Sequence, residues 1–91
     1  MLYIITYDIH INKRRNKVAK ILEGYGKRVQ LSVFECEISD KLLMELKAKL
    51  RKKINIEEDS VRFYVVSSHT LGQIEVWNGP PVTGPADSVV I

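Results

Sequence analysis

Residues 2–8, Leu-Tyr-Ile-Ile-Thr-Tyr-Asp, constrain this chain more than any other stretch. Six residues of apolar or strand-favouring type run without a break and end in a carboxylate. A run of this kind reads as a strand buried on both faces, hence a central one in a sheet. Aspartate has poor strand propensity and a high desolvation cost, so Asp8 belongs at the strand end. Strand ends beside connecting loops are where small α/β domains place chemistry, and Asp8 is the leading candidate for a functional residue.

After Ile9-His10-Ile11 a helix is expected, with Asn12 as its N-cap and Val18, Ile21, Leu22 and Tyr25 forming one apolar stripe. Lys13, Arg14, Arg15, Lys17 and Lys20 crowd its first turns and outer face. Cations there oppose the helix dipole, so their presence points to use. Gly24 or Gly26 can supply a left-handed C-cap. Residues 28–38 alternate like a strand but are long for one, so they form a bent strand or two short strands joined near Phe34 to Glu37. Ser39-Asp40 caps a second helix lined by Leu42, Leu43, Leu46 and Leu50, with Lys and Arg on its outer face.

Residues 60–67 read as another strand buried on both faces, the natural neighbour of the first, and residues 73–77 as an edge strand. Asn78-Gly79-Pro80-Pro81 punctuates the chain there. A domain over residues 1–78 is therefore expected, followed by an arm over 79–91 whose apolar end, Ser88-Val89-Val90-Ile91, docks on a partner subunit.

Interleaved strands and helices of this order give an α+β, ferredoxin-like βαββαβ sandwich with an extra C-terminal strand. Each helix has one apolar face, so together they cover one side of the sheet. Two such sheets packed face to face in a homodimer would cover the other. With 91 residues, 45% apolar and 27% charged, the chain suits one small domain. No apolar run approaches the roughly 20 residues that span a bilayer. The start lacks the basic lead-in of a signal peptide, and the lone Cys36 excludes an intrachain disulfide framework, so a reducing cytoplasm is expected.

Net charge is +3, unevenly spread: residues 1–53 hold 13 of the 14 Lys and Arg against 6 acids, while residues 54–91 hold Arg62 alone against 5. A basic body fits a polyanion partner; solvated helix faces are the plainer account. His10 and His69 are far apart and have no Cys or acid spacing typical of zinc, so both read as loop histidines. Cys36 has no nearby His to form a nucleophile pair, Trp77 suits an edge or subunit contact, and Ser32 suits a phosphate contact or a sheet-face hydroxyl.

Tyr7-Asp8 closing the first strand, Arg14-Arg15 opening the helix, Tyr25-Gly26 and then Arg28 to Cys36 together resemble the small CRISPR-associated spacer-acquisition proteins known as endoribonucleases. The match runs from residue 1 to about 77 in order and spacing. The resemblance implies a ferredoxin-like homodimer with a C-terminal strand crossing to the partner, assembled with the CRISPR integrase to insert foreign DNA. Some members cut RNA or DNA with magnesium, and others serve as DNA-binding scaffolds. Asp8 then matches the family's Mg2+-binding, catalytic aspartate and Tyr7 its neighbour. Arg14, Arg15, Lys17 and Arg28 match basic nucleic-acid-binding positions, and Phe34 the family's aromatic. Where relatives often carry further acids just after the strand, this chain has His10 and Asn12.

Three functions compete: a metal-dependent phosphodiesterase centred on paired Asp8, a non-catalytic clamp whose basic helix faces hold duplex phosphates, and an RNA-recognition module. The last lacks its aromatic signature: Arg28 to Phe34 does not fit, and Phe63 and Tyr64 point to opposite faces of a strand.

Overall fold

The computed structural model describes residues 1–83. Its elements are β1 (Leu2–Asp8), α1 (Asn12–Glu23), β2 (Lys27–Gln30), β3 (Val33–Glu37), α2 (Asp40–Arg51), β4 (Ser60–Val66) and a short α3 (Ser68–Leu71). The four strands form one antiparallel sheet in the order β2-β3-β1-β4. This is the ferredoxin-like arrangement, with β1 hydrogen-bonded on both edges.

Tyr3, Ile5 and Tyr7 of β1 face the helices and are buried with Val18, Leu22, Phe34, Cys36, Leu46 and Leu50. Leu22 of α1 and Leu46 of α2 are wholly buried, each worth roughly 1.5–3 kcal/mol relative to exposure. Burial also pushes the Cys36 thiol up to about 11, which keeps it protonated and inert. The alternate residues of β1 face the other side, where Leu2 is buried, Ile4 and Thr6 are half-buried and Asp8 is exposed.

Helix α2 begins as expected: Ser39 accepts a hydrogen bond from the Leu42 amide at 3.2 Å. Helix α1 does not. Its N-cap is Ile11, without a side-chain bond, and Asn12 lies one residue inside, its side chain accepting from the Arg15 guanidinium. Nor does a left-handed glycine end it, since Gly24 is right-handed with φ −78° and no described glycine has positive φ. Gly26 is needed for a different reason. A Cβ there would lie 2.4 Å from both Cys36 Sγ and the Glu35 carbonyl oxygen, so only glycine lets β2 start this close to β3.

Residues 28–38 are two strands, but the joint is Leu31-Ser32 rather than Phe34 to Glu37. A bulge between Arg28 and Gln30 shifts the register just before that turn and pairs Arg28 with Phe34. Strand β4 pairs with β1 along its length but is an edge, with Ser60, Arg62, Tyr64 and Val65 exposed, instead of a strand buried on both faces. Residues 73–77 form no strand in the single chain. Ser67 caps α3 through the Thr70 amide, and the chain turns back over the outer sheet face. There residues 74–80 enclose a cleft of about 300 Å3 with Ile4, Val29, Val33 and Glu35. A ladder needs a free neighbouring edge, and this path leaves 73–77 none. Farther on, the Thr83 amide donates to the buried Glu35 carboxylate at 2.8 Å. The expected docking of Ser88–Ile91 lies outside the described residues.

A buried ion pair ties α1 to the entry of β4. Arg14 forks onto Asp59 at 2.8 and 3.1 Å, and Asp59, with a side chain only 1% exposed, also accepts the Asn55 amide at 2.8 Å. The Arg14 guanidinium holds the Asp59 carboxyl below the usual carboxylate range, aided by the Asn55 amide and opposed by burial.

Two measurements check these packing arguments. Gly26→Ala is expected to destabilise the protein by roughly 1–3 kcal/mol, lowering the urea midpoint at unchanged slope. Asp59→Asn is expected to lower the midpoint at pH 7. Because the folded carboxyl titrates below the unfolded one, the pair's stabilisation is full above the ordinary carboxylate pKa near 4, declines below it and is lost as pH falls through the lower folded value. The gap between variant and parent should therefore close on acidification; a gap independent of pH would contradict the assignment.

Candidate nucleic-acid interface and metal centre

One end of the sheet collects the C-terminus of β1, the β2–β3 turn, the start of β4 and the loop leading into α1. Asp8 stands opposite Ser60 in the ladder, its side chain 77% exposed. The strand delivers it there because hydrophobic alternation places Tyr7 inward and Asp8 outward. Beside it stands His10, whose Nε2 lies 3.7 Å from Asp8 Oδ1.

Beneath this end lies a stack of three site candidates. Phe34 is wholly buried and stacks against Tyr7 with ring centroids 6.3 Å apart, while the Arg28 guanidinium sits over Phe34 at 5.4 Å. Arg28 Nη2 donates to the Tyr7 hydroxyl at 3.1 Å, and that hydroxyl donates to the Leu31 carbonyl at 3.4 Å. The Ser32 carbonyl accepts the Tyr7 amide at 3.2 Å. Tyr7, Phe34 and Arg28 thus fix the hairpin tip against the end of β1. Buried aromatics of this kind have no face to offer a base, so Tyr7 and Phe34 act on the site through its shape.

The basic candidates divide. Arg14 is committed to Asp59 and also reaches Glu58 at 3.1 Å. Arg15 donates from Nη1 to the Ile9 carbonyl at 3.0 Å and to the His10 carbonyl at 3.5 Å, clamping the loop after Asp8. Lys17 is exposed, as are Lys13 and Lys20 at four- and three-residue spacing on the same face of α1. That face is free to meet phosphates.

Asp8 supplies hard carboxylate oxygens suited to magnesium, which takes one or two such ligands alongside waters and substrate phosphate. Among the described residues no three His, Cys, Asp or Glu gather at one place. Within one chain Asp8 therefore lacks a full ligand set among the described residues, and the fit to Mg2+ depends on a second copy bringing its own carboxylate.

His10 lies in the loop after β1, as its sequence context leads one to expect, and its side chain is exposed beside Asp8. Asp59 escaped notice because nothing local links it to Arg14, 45 residues away.

The family model of the CRISPR associated protein Cas2 matches residues 1–74. A CRISPR-associated endoribonuclease Cas2 of Synechocystis sp. is 53% identical over 90 residues, spanning 99% of this chain and 98% of the relative. Among solved structures, Streptococcus pyogenes Cas2 superposes with a TM-score of 0.77 at 34% identity, covering 86% of this chain and 100% of that one. A chain of a partial Cas6-RT-Cas1–Cas2 complex does so with a TM-score of 0.77 at 32% identity, covering 91% of each. This chain belongs to the CRISPR-associated Cas2 family.

Proposed function

We propose that this protein works in CRISPR adaptation in the cytoplasm, as a homodimer that binds nucleic acid, joins the CRISPR integrase and hydrolyses phosphodiester bonds at Asp8 with Mg2+. The observation that carries the reading is Asp8 itself: an exposed carboxylate at the end of the central strand, on a scaffold that Tyr7, Arg28 and Phe34 hold rigid. The Synechocystis relative bears the name endoribonuclease, and the Cas6-RT-Cas1–Cas2 complex pairs a similar chain with Cas1. The outer sheet face, with Ile4 and Thr6 half-buried and Tyr64 47% exposed, is the surface on which a second copy would pack.

Each part of the chain has a distinct task in this reading. The two Asp8 carboxylates would hold the cation, and the chemistry it would supply is activation of a water and neutralisation of charge at the scissile phosphate. Lys13, Lys17 and Lys20 hold flanking phosphates, while Arg15 keeps the loop after Asp8 in place. Tyr7 and Arg28 fix the hairpin tip against the end of β1, which sets the shape of the ground beside Asp8.

A second reading is a DNA-binding scaffold without catalysis, favoured by the lack of any three-ligand metal cluster among the described residues of one chain. The two separate cleanly. Purified Asp8→Asn protein is expected to cut RNA or DNA roughly 10²-fold more slowly than the parent in Mg2+, since a metal contributes several kcal/mol and each 1.36 kcal/mol is tenfold. Undiminished cutting would rule out Asp8 chemistry; binding by both proteins without cutting by either would establish the scaffold. In both readings, replacing Lys13 and Lys17 by Ala should reduce the slope of log affinity against log salt by up to about 0.9 per lost duplex phosphate contact.

A further inference from the structure

Residues outside the proposed carboxylate pair change what metal the site prefers. We infer that His10 is a second metal ligand, acting with Asp8 of the same chain, so that the site takes Mn2+ and other first-row transition cations in preference to Mg2+. The inference rests on the reading of Asp8 as a metal ligand and adds the nitrogen donor.

Asp8 and His10 leave the strand end on one side, with Nε2 and Oδ1 3.7 Å apart and both side chains open to solvent, 84% and 77% exposed. A cation bound by an imidazole nitrogen and a carboxylate oxygen at about 2.0–2.2 Å brings those atoms to about 3.0–3.4 Å in tetrahedral or octahedral geometry. The observed gap exceeds that by a few tenths of an ångström, within reach of two side chains that face water. The backbone is already set: Arg15 holds the carbonyls of Ile9 and His10, the segment carrying the imidazole. The nearest other carboxylate engaged with α1, Asp59, is occupied by Arg14 and the Asn55 amide and does not compete.

Donor chemistry sets the preference. Magnesium favours all-oxygen surroundings and gives up water reluctantly. Imidazole adds affinity for first-row divalent cations, rising from Mn2+ through Co2+ and Ni2+ to Cu2+ and falling again at Zn2+. A chain with a carboxylate and an imidazole two residues apart therefore departs from a magnesium site in a definite direction. A second copy would double the set to two carboxylates and two imidazoles.

Calorimetric titration of the full-length protein with MnCl2, CoCl2 and MgCl2, alongside the visible absorption of bound Co2+, tests this without an activity assay. The parent is expected to bind Mn2+ and Co2+ at least roughly tenfold more tightly than Mg2+. His10→Ala, on an exposed loop that Arg15 still holds through backbone, should weaken Mn2+ and Co2+ by roughly tenfold or more, alter the Co2+ spectrum and leave Mg2+ binding within about twofold. Asp8→Asn should lose all three metals. Co2+ affinity and spectrum unchanged in His10→Ala, with binding lost in Asp8→Asn, would overturn the role of His10 alone. Metal binding retained in Asp8→Asn, or absent from the parent, would overturn the Asp8 reading and this one with it.

Discussion

Pairing of β1 on both edges governs the rest of the structure. A strand with neighbours on either side must satisfy its backbone there and bury its side chains wherever the sheet is covered. Tyr3, Ile5 and Tyr7 therefore carry the core, and the helices pack onto them. The strand ends where burial ends, and the residue at that point is a carboxylate in water. Because β3 and β4 both run antiparallel to β1, the hairpin tip before β3 and the entry to β4 converge beside Asp8. The site follows from topology.

The arginines and lysines near this site are used differently. Arg14, Arg15 and Arg28 are each spent on internal acceptors: a carboxylate, two carbonyls and a phenol. A planar fork with fixed donors suits that work, because several bonds form for one ordered side chain. Lysine is a hydrated point charge on a flexible stem, and Lys13, Lys17 and Lys20 stand exposed on α1. The cations that crowd the start of this helix against its dipole thus separate into a structural set and a surface set. A substitution of Arg by Lys at position 14 would keep the charge and lose the two-pronged grip on Asp59.

Much of the fold is legible in the sequence because hydrophobic period and capping chemistry report it directly. Strand β1, both long helices and the Ser39 cap are of this kind. The hairpin joint is harder, since Leu31-Ser32 carries none of the Gly, Asn or Pro that mark tight turns, and Leu31 is 81% exposed. A bulge then supplies the bend that turn residues did not. Strand β4 reads as buried on both sides, yet it exposes Ser60, Arg62, Tyr64 and Val65, because composition does not distinguish a covered face from an open edge. At the site, Asp8 stood out through its contrast with the apolar run. The inward turn of Tyr7 and Phe34, and the commitment of Arg14 to Asp59, depend on contacts between distant segments that no local pattern encodes.

The outer sheet face is where the single chain is least resolved energetically. Helices α1 and α2 cover only the opposite side, and α3 reaches no farther than Leu2, so Ile4, Val33 and Glu35 need cover of another kind. Residues 74–83 provide part of it, with Ile74 half-buried over the sheet and the Thr83 amide on Glu35. The cover is incomplete: among the described residues the buried Thr83 hydroxyl has no partner, Val76 is 45% exposed and Trp77 84%. An unpaired buried hydroxyl costs about 1–3 kcal/mol, and a bare indole forgoes most of the gain an aromatic usually brings. The alternating Gln73 to Trp77, with no ladder to join here, is held on this face by weak means. Any second sheet packed on this face would meet that segment first, and it would have to replace the bond that the Thr83 amide gives Glu35.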